Sequence, residues 1–284
     1  MTFRTRFAPS PTGPLHLGHA YSALLAYDMA KENGGEFLLR VEDIDQSRAR
    51  PEWETQIYDD LAWLGISWSE PVLRQSDRLG VYSGALDTLW EHELLFVCHC
   101  NRKDILNAAS APQEGSPMIG PDGLIYPGTC QSKPRTSQLR PTDTALRLDV
   151  SKVAEWSASF METGQGPEGQ TGKINITDQE FQTQVGAIVL ARRDMGTSYH
   201  LSVVLDDAAQ GITHVVRGND LFEATKIHVL LQHLLGLPTP TYHHHALIRD
   251  DAGKRLAKRD DARALSKFRA DGYTPADIRK MIGL

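Results

Sequence analysis

Residues 6–19 read Arg6-Phe7-Ala8-Pro9-Ser10-Pro11-Thr12-Gly13-Pro14-Leu15-His16-Leu17-Gly18-His19. The stretch 3–8 has the make-up of a short strand. Pro9, Pro11 and Pro14 then deny the chain a regular ladder, because proline has no N–H to donate. From Gly18 onward Tyr21, Leu24, Leu25 and Met29 recur at helical spacing as far as Asn33-Gly34-Gly35. Phe37-Leu38-Leu39-Arg40-Val41 follows as a mostly buried strand. Strand, turn, helix and strand in this order open a parallel α/β core. His16 and His19, three residues apart, fall on nearly one helical face. Exposed N–H groups at a helix start hold anionic phosphate, and Gly18 permits close approach of another group. Two imidazoles there can contact ATP and the charge that develops during phosphate chemistry. By themselves they also suit a structural role or a metal. Neither a Walker-type loop nor a Gly-x-Gly-x-x-Gly pattern is present.

The α/β rhythm continues with a helix expected over 51–64, started by Pro51 and followed by Gly65. Another helix is expected from a cap at Asp77 through Glu93, and a strand starts at Phe96-Val97. Residues 101–144 break the pattern with many turn formers, and an inserted subdomain is expected over Cys98–Arg192. Within it Leu146–Val150 alternates like a strand, and Gly164–Gly172 reads as an exposed loop. The rhythm resumes at Tyr199-His200-Leu201-Ser202-Val203-Val204-Leu205, read as a strand that ends at Asp206-Asp207. Ile212–Val216 is a further strand. Asp220 is placed to cap a helix reaching Leu235, and 242–248 reads as the last core strand. Two short helices close the chain near 260–271 and 275–282. The expected division is a first catalytic half over 1–97, the insertion over 98–192, a second catalytic half over 193–248, and a basic loop with a short helical segment over 249–284.

The 284 residues are 40% hydrophobic, enough for a real core. The net charge of -6 argues against a general polycation. Residues 249–284 nevertheless carry +4, which suits a phosphate backbone or simply a solvated helix pair. The N-terminus lacks the apolar stretch of a secretory signal, and no apolar run reaches transmembrane length, so a cytoplasmic protein without membrane contact is expected. Cys98, Cys100 and Cys130 do not suggest a disulfide framework. Their spacing fits a metal or a reduced interior. Tyr126 can add an oxygen ligand, and His99 is an alternative fourth ligand.

Taken in order, these landmarks resemble a class I glutamyl-tRNA synthetase catalytic domain. Arg6–Gly13 resembles that family's opening segment, and His16-Leu17-Gly18-His19 its HIGH motif with Leu for Ile. Arg40-Val41-Glu42-Asp43-Ile44-Asp45, Val204-Leu205-Asp206-Asp207 and Gly211–Gly218 also fit, and they span almost the whole chain. Arg255-Leu256-Ala257-Lys258-Arg259 resembles the KMSKS loop. It departs from it at Arg255, which keeps the charge but changes donor geometry, and at Ala257, which has no hydroxyl to donate.

The resemblance implies a Rossmann-like α/β catalytic domain with an inserted, zinc-binding, acceptor-type subdomain. It implies ATP contacts by His16, Gly18, His19 and Lys258, with His16, His19 and Lys258 stabilising phosphate charge. Arg6, Ser10, Glu42, Tyr199 and Arg217 fall at positions of the glutamate set. Arginine suits bidentate carboxylate contacts and Glu42 suits the ammonium. Asp206-Asp207 is expected to orient ribose-side contacts or the arginines, not to act as a base. Cys98, Cys100, Tyr126 and Cys130 match the Cys-x-Cys and Tyr-x-x-x-Cys ligands of a compact subgroup, implying one structural zinc per chain. The end of the chain at Leu284 leaves little room for an anticodon-binding module. This matches the same subgroup, the glutamyl-queuosine tRNA(Asp) synthetases. The implied reaction is ATP-dependent activation of L-glutamate, with Mg2+, and its transfer to queuosine in tRNA(Asp) by a monomer. A short enzyme charging a tRNA 3′ end and a non-catalytic RNA-binding relative are the other readings.

Overall fold

The computed structural model describes residues 2–109, 119–135, 137–153, 156–248 and 263–284. Strand β1 (Arg4–Phe7) leads through the proline turn into helix α1 (Leu17–Glu32) and returns as β2 (Glu36–Val41), which lies parallel to β1. Helix α2 (Pro51–Trp63) crosses to β3 (Ser69–Arg74), parallel to β2. Helix α3 (Leu79–Glu91) and β4 (Leu95–Cys98) follow. Then come α4 (Arg102–Ala109), the short ribbon β5 (Ile119–Gly120) and β6 (Gly123–Leu124), β7 (Ala145–Leu148), β8 (Ser157–Glu162), β9 (Gly172–Thr177), α5 (Asp178–Gln184) and β10 (Val189–Ala191). The second half adds α6 (Tyr199–Ala209), β11 (His214–Gly218), α7 (Ala224–Leu234), β12 (Thr241–His245), α8 (Leu265–Ala270) and α9 (Pro275–Ile282).

Two sheets meet at the centre. One runs β1-β2-β3 and the other β11-β12-β8-β9. Strand β11 lies beside β1: the Thr213 N–H donates to Arg4 O at 3.0 Å, and the Arg4 N–H to Thr213 Oγ1 at 2.8 Å. Chain order therefore reverses between β1 and β11. In open α/β sheets ligands bind outside the strand ends at such a switch point. The interval 98–192 contributes to two places. Strands β7 and β10 form a sheet with β4, whereas β8 pairs with β12.

Alternation along the strands assigns the two faces. Phe7, Phe37, Leu39 and Val216 pack with α1, α2, α8 and α9 in one apolar cluster. Val215 packs with α3, α6 and α7 in another, and Leu38 lies against it. Period two then places Arg6, Arg40 and Arg217, next to Phe7, Leu39 and Val216, on the α6 face. An α1-face position would drive each cation into the apolar cluster.

Three local expectations are corrected. Residues 199–209 form α6, not a strand. A continuous apolar run does not separate a buried strand from a buried helix by period alone. The missed signal was Ser198, whose Oγ accepts from the Leu201 N–H at 3.4 Å as an N-cap. Buried His200, Val203, Val204 and Asp207 then follow the i, i+3, i+4, i+7 stripe. Asp220 lies in a 3-10 turn, and α7 starts only at Ala224. Asp77 likewise lies in a 3-10 turn ahead of α3. No helix among the described residues is long and apolar enough to cross a membrane.

If the cap at Ser198 holds α6, Ser198→Ala will lower unfolding stability by about 1 kcal/mol. Urea denaturation measures this, and an unchanged midpoint would remove Ser198 from that role.

Candidate functional site

The first part of the site is the start of α1. His16 is its N-cap in extended conformation, and its Nδ1 accepts from the Gly18 N–H at 3.1 Å. The His16 N–H in turn donates to His19 Nδ1 at 3.2 Å. The two rings stack with centroids 3.8 Å apart. Because both Nδ1 atoms accept, each neutral ring carries its proton on Nε2, the donor a phosphate oxygen needs. Two contacts fix this helix end over the sheet. Leu265 N–H donates to Leu15 O at 2.8 Å, and Ser22 Oγ meets His245 Nε2 at 2.8 Å. Lys258 and the rest of the segment Arg255–Arg259 lie outside the described residues.

The second part lies at the ends of β1, β2 and β11. Asp207, in the last turn of α6, accepts from Arg6 Nε at 3.0 Å and from Arg40 Nη1 at 2.7 Å. Burial alone would push the Asp207 carboxyl up, but Arg6 and Arg40 outweigh it and hold it below the ordinary range. Arg40 also donates to Glu42 Oε1 at 3.1 Å. Burial pushes Glu42 up, while Arg40 and Arg6 oppose that rise. Tyr199 feels Arg217, Glu42, Arg6 and Asp207, and burial raises its phenol. The structure thus brings Arg6, Glu42, Tyr199 and Arg217 to one place. Ser10 is exposed in the loop after β1, whose Pro9 carbonyl accepts from the Glu42 N–H at 3.0 Å. Asp206 faces elsewhere and bonds Gln75, Arg78 and Tyr82.

Arg217 is held differently from the other arginines. It is 6% exposed. It donates to Thr225 Oγ1 at 2.7 Å, to His244 Nε2 at 3.1 Å, to His228 Nδ1 at 3.1 Å and to Leu221 O at 3.3 Å. All four acceptors are neutral groups, and no described carboxylate pairs with it. His244 accepts at Nε2, so its Nδ1 carries the proton and donates to Glu162 Oε2 at 2.5 Å. Burial opposes ionisation of Glu162, but the bonds from His244 and the Gly164 N–H hold its pKa low. Gly164 is required here: a Cβ would meet the His244 carbonyl oxygen at 2.1 Å.

Sequence reasoning missed Arg40, His228, His244 and Glu162. Arg40 was legible, since it stands two residues before Glu42, which continues the extended chain just past β2. Glu162 and His228 carried no local signal.

The third part lies around the end of β4. The Sγ atoms of Cys98, Cys100 and Cys130 lie within 4.8 Å of one another, and the three cysteines are free. Tyr126 Oη is 3.5 Å from Cys98 Sγ and 3.4 Å from Cys100 Sγ. Burial raises the Cys130 thiol, but hydrogen bonds from Tyr126 and the His99 backbone bring it down to about 7. At Cys130 this eases formation of the thiolate that a metal needs, whereas burial pushes the Cys100 thiol up. His99 is exposed and outside the cluster of ligand atoms. A cleft of about 780 Å³ is lined by Cys98, Cys100, Tyr199 and His200, with Arg192 and Arg193 on its wall.

The sequence family described as tRNA synthetases class I (E and Q), catalytic domain, matches residues 2–284. This chain belongs to that family. A glutamyl-Q tRNA(Asp) synthetase of Rhodobacter capsulatus is 64% identical over 282 residues, 99% of each chain. The protein of that name from Cupriavidus metallidurans is 38% identical, over 99% of this chain and 83% of its own. A crystal structure of a glutamate tRNA ligase from Elizabethkingia meningosepticum, in complex with its amino acid, aligns with all of this synthetase-family chain at a TM-score of 0.76 and 25% identity. A glutamate-tRNA synthetase from Elizabethkingia anophelis shares the fold, with a TM-score of 0.79 and 24% identity. The present chain spans 61% of the length of each of those two.

If Asp207 balances Arg6 and Arg40, Asp207→Asn leaves buried charge unpaired and will cost about 3–5 kcal/mol by urea denaturation. The depressed carboxyl also sets a direction with pH. Its contribution is present above about pH 4, the ordinary unfolded value, and is lost as pH falls through the lower folded value. The acid limb of stability below about pH 4 should therefore flatten in Asp207→Asn, and an equally steep limb would count against the balance.

Proposed function

We propose that this chain activates L-glutamate with ATP and transfers it to the queuosine base in the anticodon loop of tRNA(Asp). The observation that carries the reading is Arg217, a buried cation cradled by neutral acceptors beside Glu42, Tyr199 and Arg6. Arg6, Arg40 and Arg217 bring three positive charges; Asp207 and Glu42 contact the first two, and Glu162 reaches Arg217 only through His244. Glutamate, with one ammonium and two carboxylates, offers a carboxylate for direct contact to each of Arg6 and Arg217. Glutamine has one carboxylate and serves only one of them. Glu42 takes the ammonium, Arg6 and Arg217 the two carboxylate ends, and Tyr199 walls the pocket. Ser10 contributes from the loop after β1. The near-full-length relative at 64% identity, named for the queuosine reaction, supports the choice of acceptor.

The first step joins a glutamate α-carboxylate oxygen to the α-phosphorus of ATP as the bond to the bridging oxygen breaks, and pyrophosphate leaves. The nucleophile is already anionic, so the step needs alignment and charge stabilisation more than a base. His16 and His19, donating from Nε2, and Lys258 serve the phosphates, with Gly18 allowing their close approach. Mg2+ bound with ATP lowers the electrostatic repulsion of the triphosphate. A queuosine cyclopentene hydroxyl then attacks the acyl carbon. An ester forms, AMP leaves, and the hydroxyl proton passes to solvent or to the departing phosphate. We assign the phosphate-binding loop to 249–284 and the RNA-facing insertion to 98–192. The reaction is cytoplasmic, where its tRNA is found.

Cys98, Cys100, Cys130 and Tyr126 form the ligand set we assign to one structural zinc. Three sulfurs and one oxygen suit a closed tetrahedral site. Bound there, zinc would tie β4 to the loop carrying Cys130.

Labelled glutamate and ATP should modify tRNA(Asp) that carries queuosine, in the anticodon loop, and leave queuosine-free tRNA(Asp) unlabelled. Label at the 3′ end of both would identify an aminoacylating enzyme instead. Purified protein should hold about one zinc per chain by elemental analysis, lost in Cys130→Ser. Full retention of zinc in that variant would refute the ligand set.

A further inference from the structure

The chain that leaves Arg217 through His228 does not stop at the pocket. His228 Nε2 lies 3.1 Å from His200 Nδ1, and His200 Nε2 lies 3.5 Å from Asp122 Oδ1. Asp122 sits in the turn between β5 and β6, far along the chain from α6 and α7. His200 and His228 are buried, whereas the Asp122 side chain is 49% exposed and sits on the wall of the cleft.

The proton positions along this chain follow from one constraint. A guanidinium only donates. His228 Nδ1 must therefore accept from Arg217, which places the proton of a neutral His228 on Nε2. That proton can only be given to His200 Nδ1, so His200 carries its own on Nε2, facing Asp122. Burial and the neighbouring Arg217 hold the pKa of His228 well below its ordinary value, which keeps the ring neutral. The donors of Arg217 and His228 thus point the same way, and the Nε2 proton of His200 faces the half-exposed Asp122 carboxylate at 3.5 Å, an electrostatic contact longer than a normal hydrogen bond. A cation at one end and an anion at the other polarise the bonds between them in the same sense. The ring of Tyr199 packs edge-on against both imidazoles, with centroids 5.4 Å from His200 and 5.6 Å from His228. The relay therefore sets a wall of the pocket as well as one nitrogen of Arg217.

We infer that Asp122 is a positioning residue for the glutamate site: through His200 and His228 it fixes the orientation of Arg217 and Tyr199, so that the β5–β6 turn governs how tightly the amino acid is held. This rests on the glutamate-activating reading of the pocket. Asp122 touches neither amino acid nor nucleotide, so its loss should weaken glutamate binding and leave the phosphate end unaffected.

The test is ATP–pyrophosphate exchange with zinc-loaded, full-length wild type, Asp122→Asn and Asp122→Glu. Asp122→Asn keeps the shape and removes the charge. It is expected to raise KM for glutamate about three- to tenfold, with kcat and KM for ATP within about twofold of wild type. Asp122→Glu should restore most of the loss. Unchanged KM for glutamate, or parallel changes for glutamate and ATP, overturns the inference. If wild type shows no glutamate-dependent exchange, the reading of the pocket fails, and a second readout judges the relay alone. Nitrogen-15 imidazole spectra of wild type are expected to place the proton on Nε2 in both His200 and His228, with the His200 signals shifting in Asp122→Asn. A proton on Nδ1 of either ring, or no shift, overturns it as well.

Discussion

Asp207 stands between Arg6 and Arg40, and the geometry of the pocket depends on that shared carboxylate. Two buried guanidinium groups, from parallel neighbours β1 and β2, would repel each other without it. A carboxylate two helical turns into α6 reaches both from the far side, and so ties α6 to the first half of the sheet. The cost of taking these charges from water is offset only while all of them are paired. The arrangement is thus specific in position, and it fixes where Tyr199, at the start of the same helix, stands over the site.

Arg217 shows the complementary solution. Its positive charge is kept, because its acceptors are imidazoles and a hydroxyl, not acids. Glu162 supplies an anion one imidazole removed, close enough to orient His244 yet not in contact with the guanidinium. The same strand-end region therefore holds one directly paired cluster and one cation whose acid lies an imidazole away. A ligand carboxylate matches that pattern, and the strand reversal between β1 and β11 supplies the crevice in which to bind it.

The α1 start and the arginine cluster are joined through the sheet. Phe7 follows Arg6 on β1 and stands edge-on to His19, with ring centroids 6.4 Å apart. His245 follows His244 on β12 and meets Ser22 on α1. Adjacent residues of a strand point to opposite faces, so each of these strands serves the amino-acid side with one residue and the phosphate side with the next. Cys98 and Cys100 line the same cleft that Tyr199 borders.

Much of this was legible in residue order. The strand–turn–helix at the N-terminus and the placing of β2, α2, β7, β11 and β12 follow from period and proline, and the grouping of Arg6, Glu42, Tyr199 and Arg217 from the family resemblance. These are properties of short segments. The helix at 199–209 was misread because an apolar run buried on several sides loses its period, leaving only the Ser198 cap as a signal. What only the tertiary structure decided is the pairing of charges. Asp207 lies 201 residues from Arg6, and Glu162 82 residues from His244. No local pattern states which carboxylate meets which guanidinium. Sheet order and strand parity determine that, and they also leave Arg217 in the pocket with no described carboxylate in direct contact.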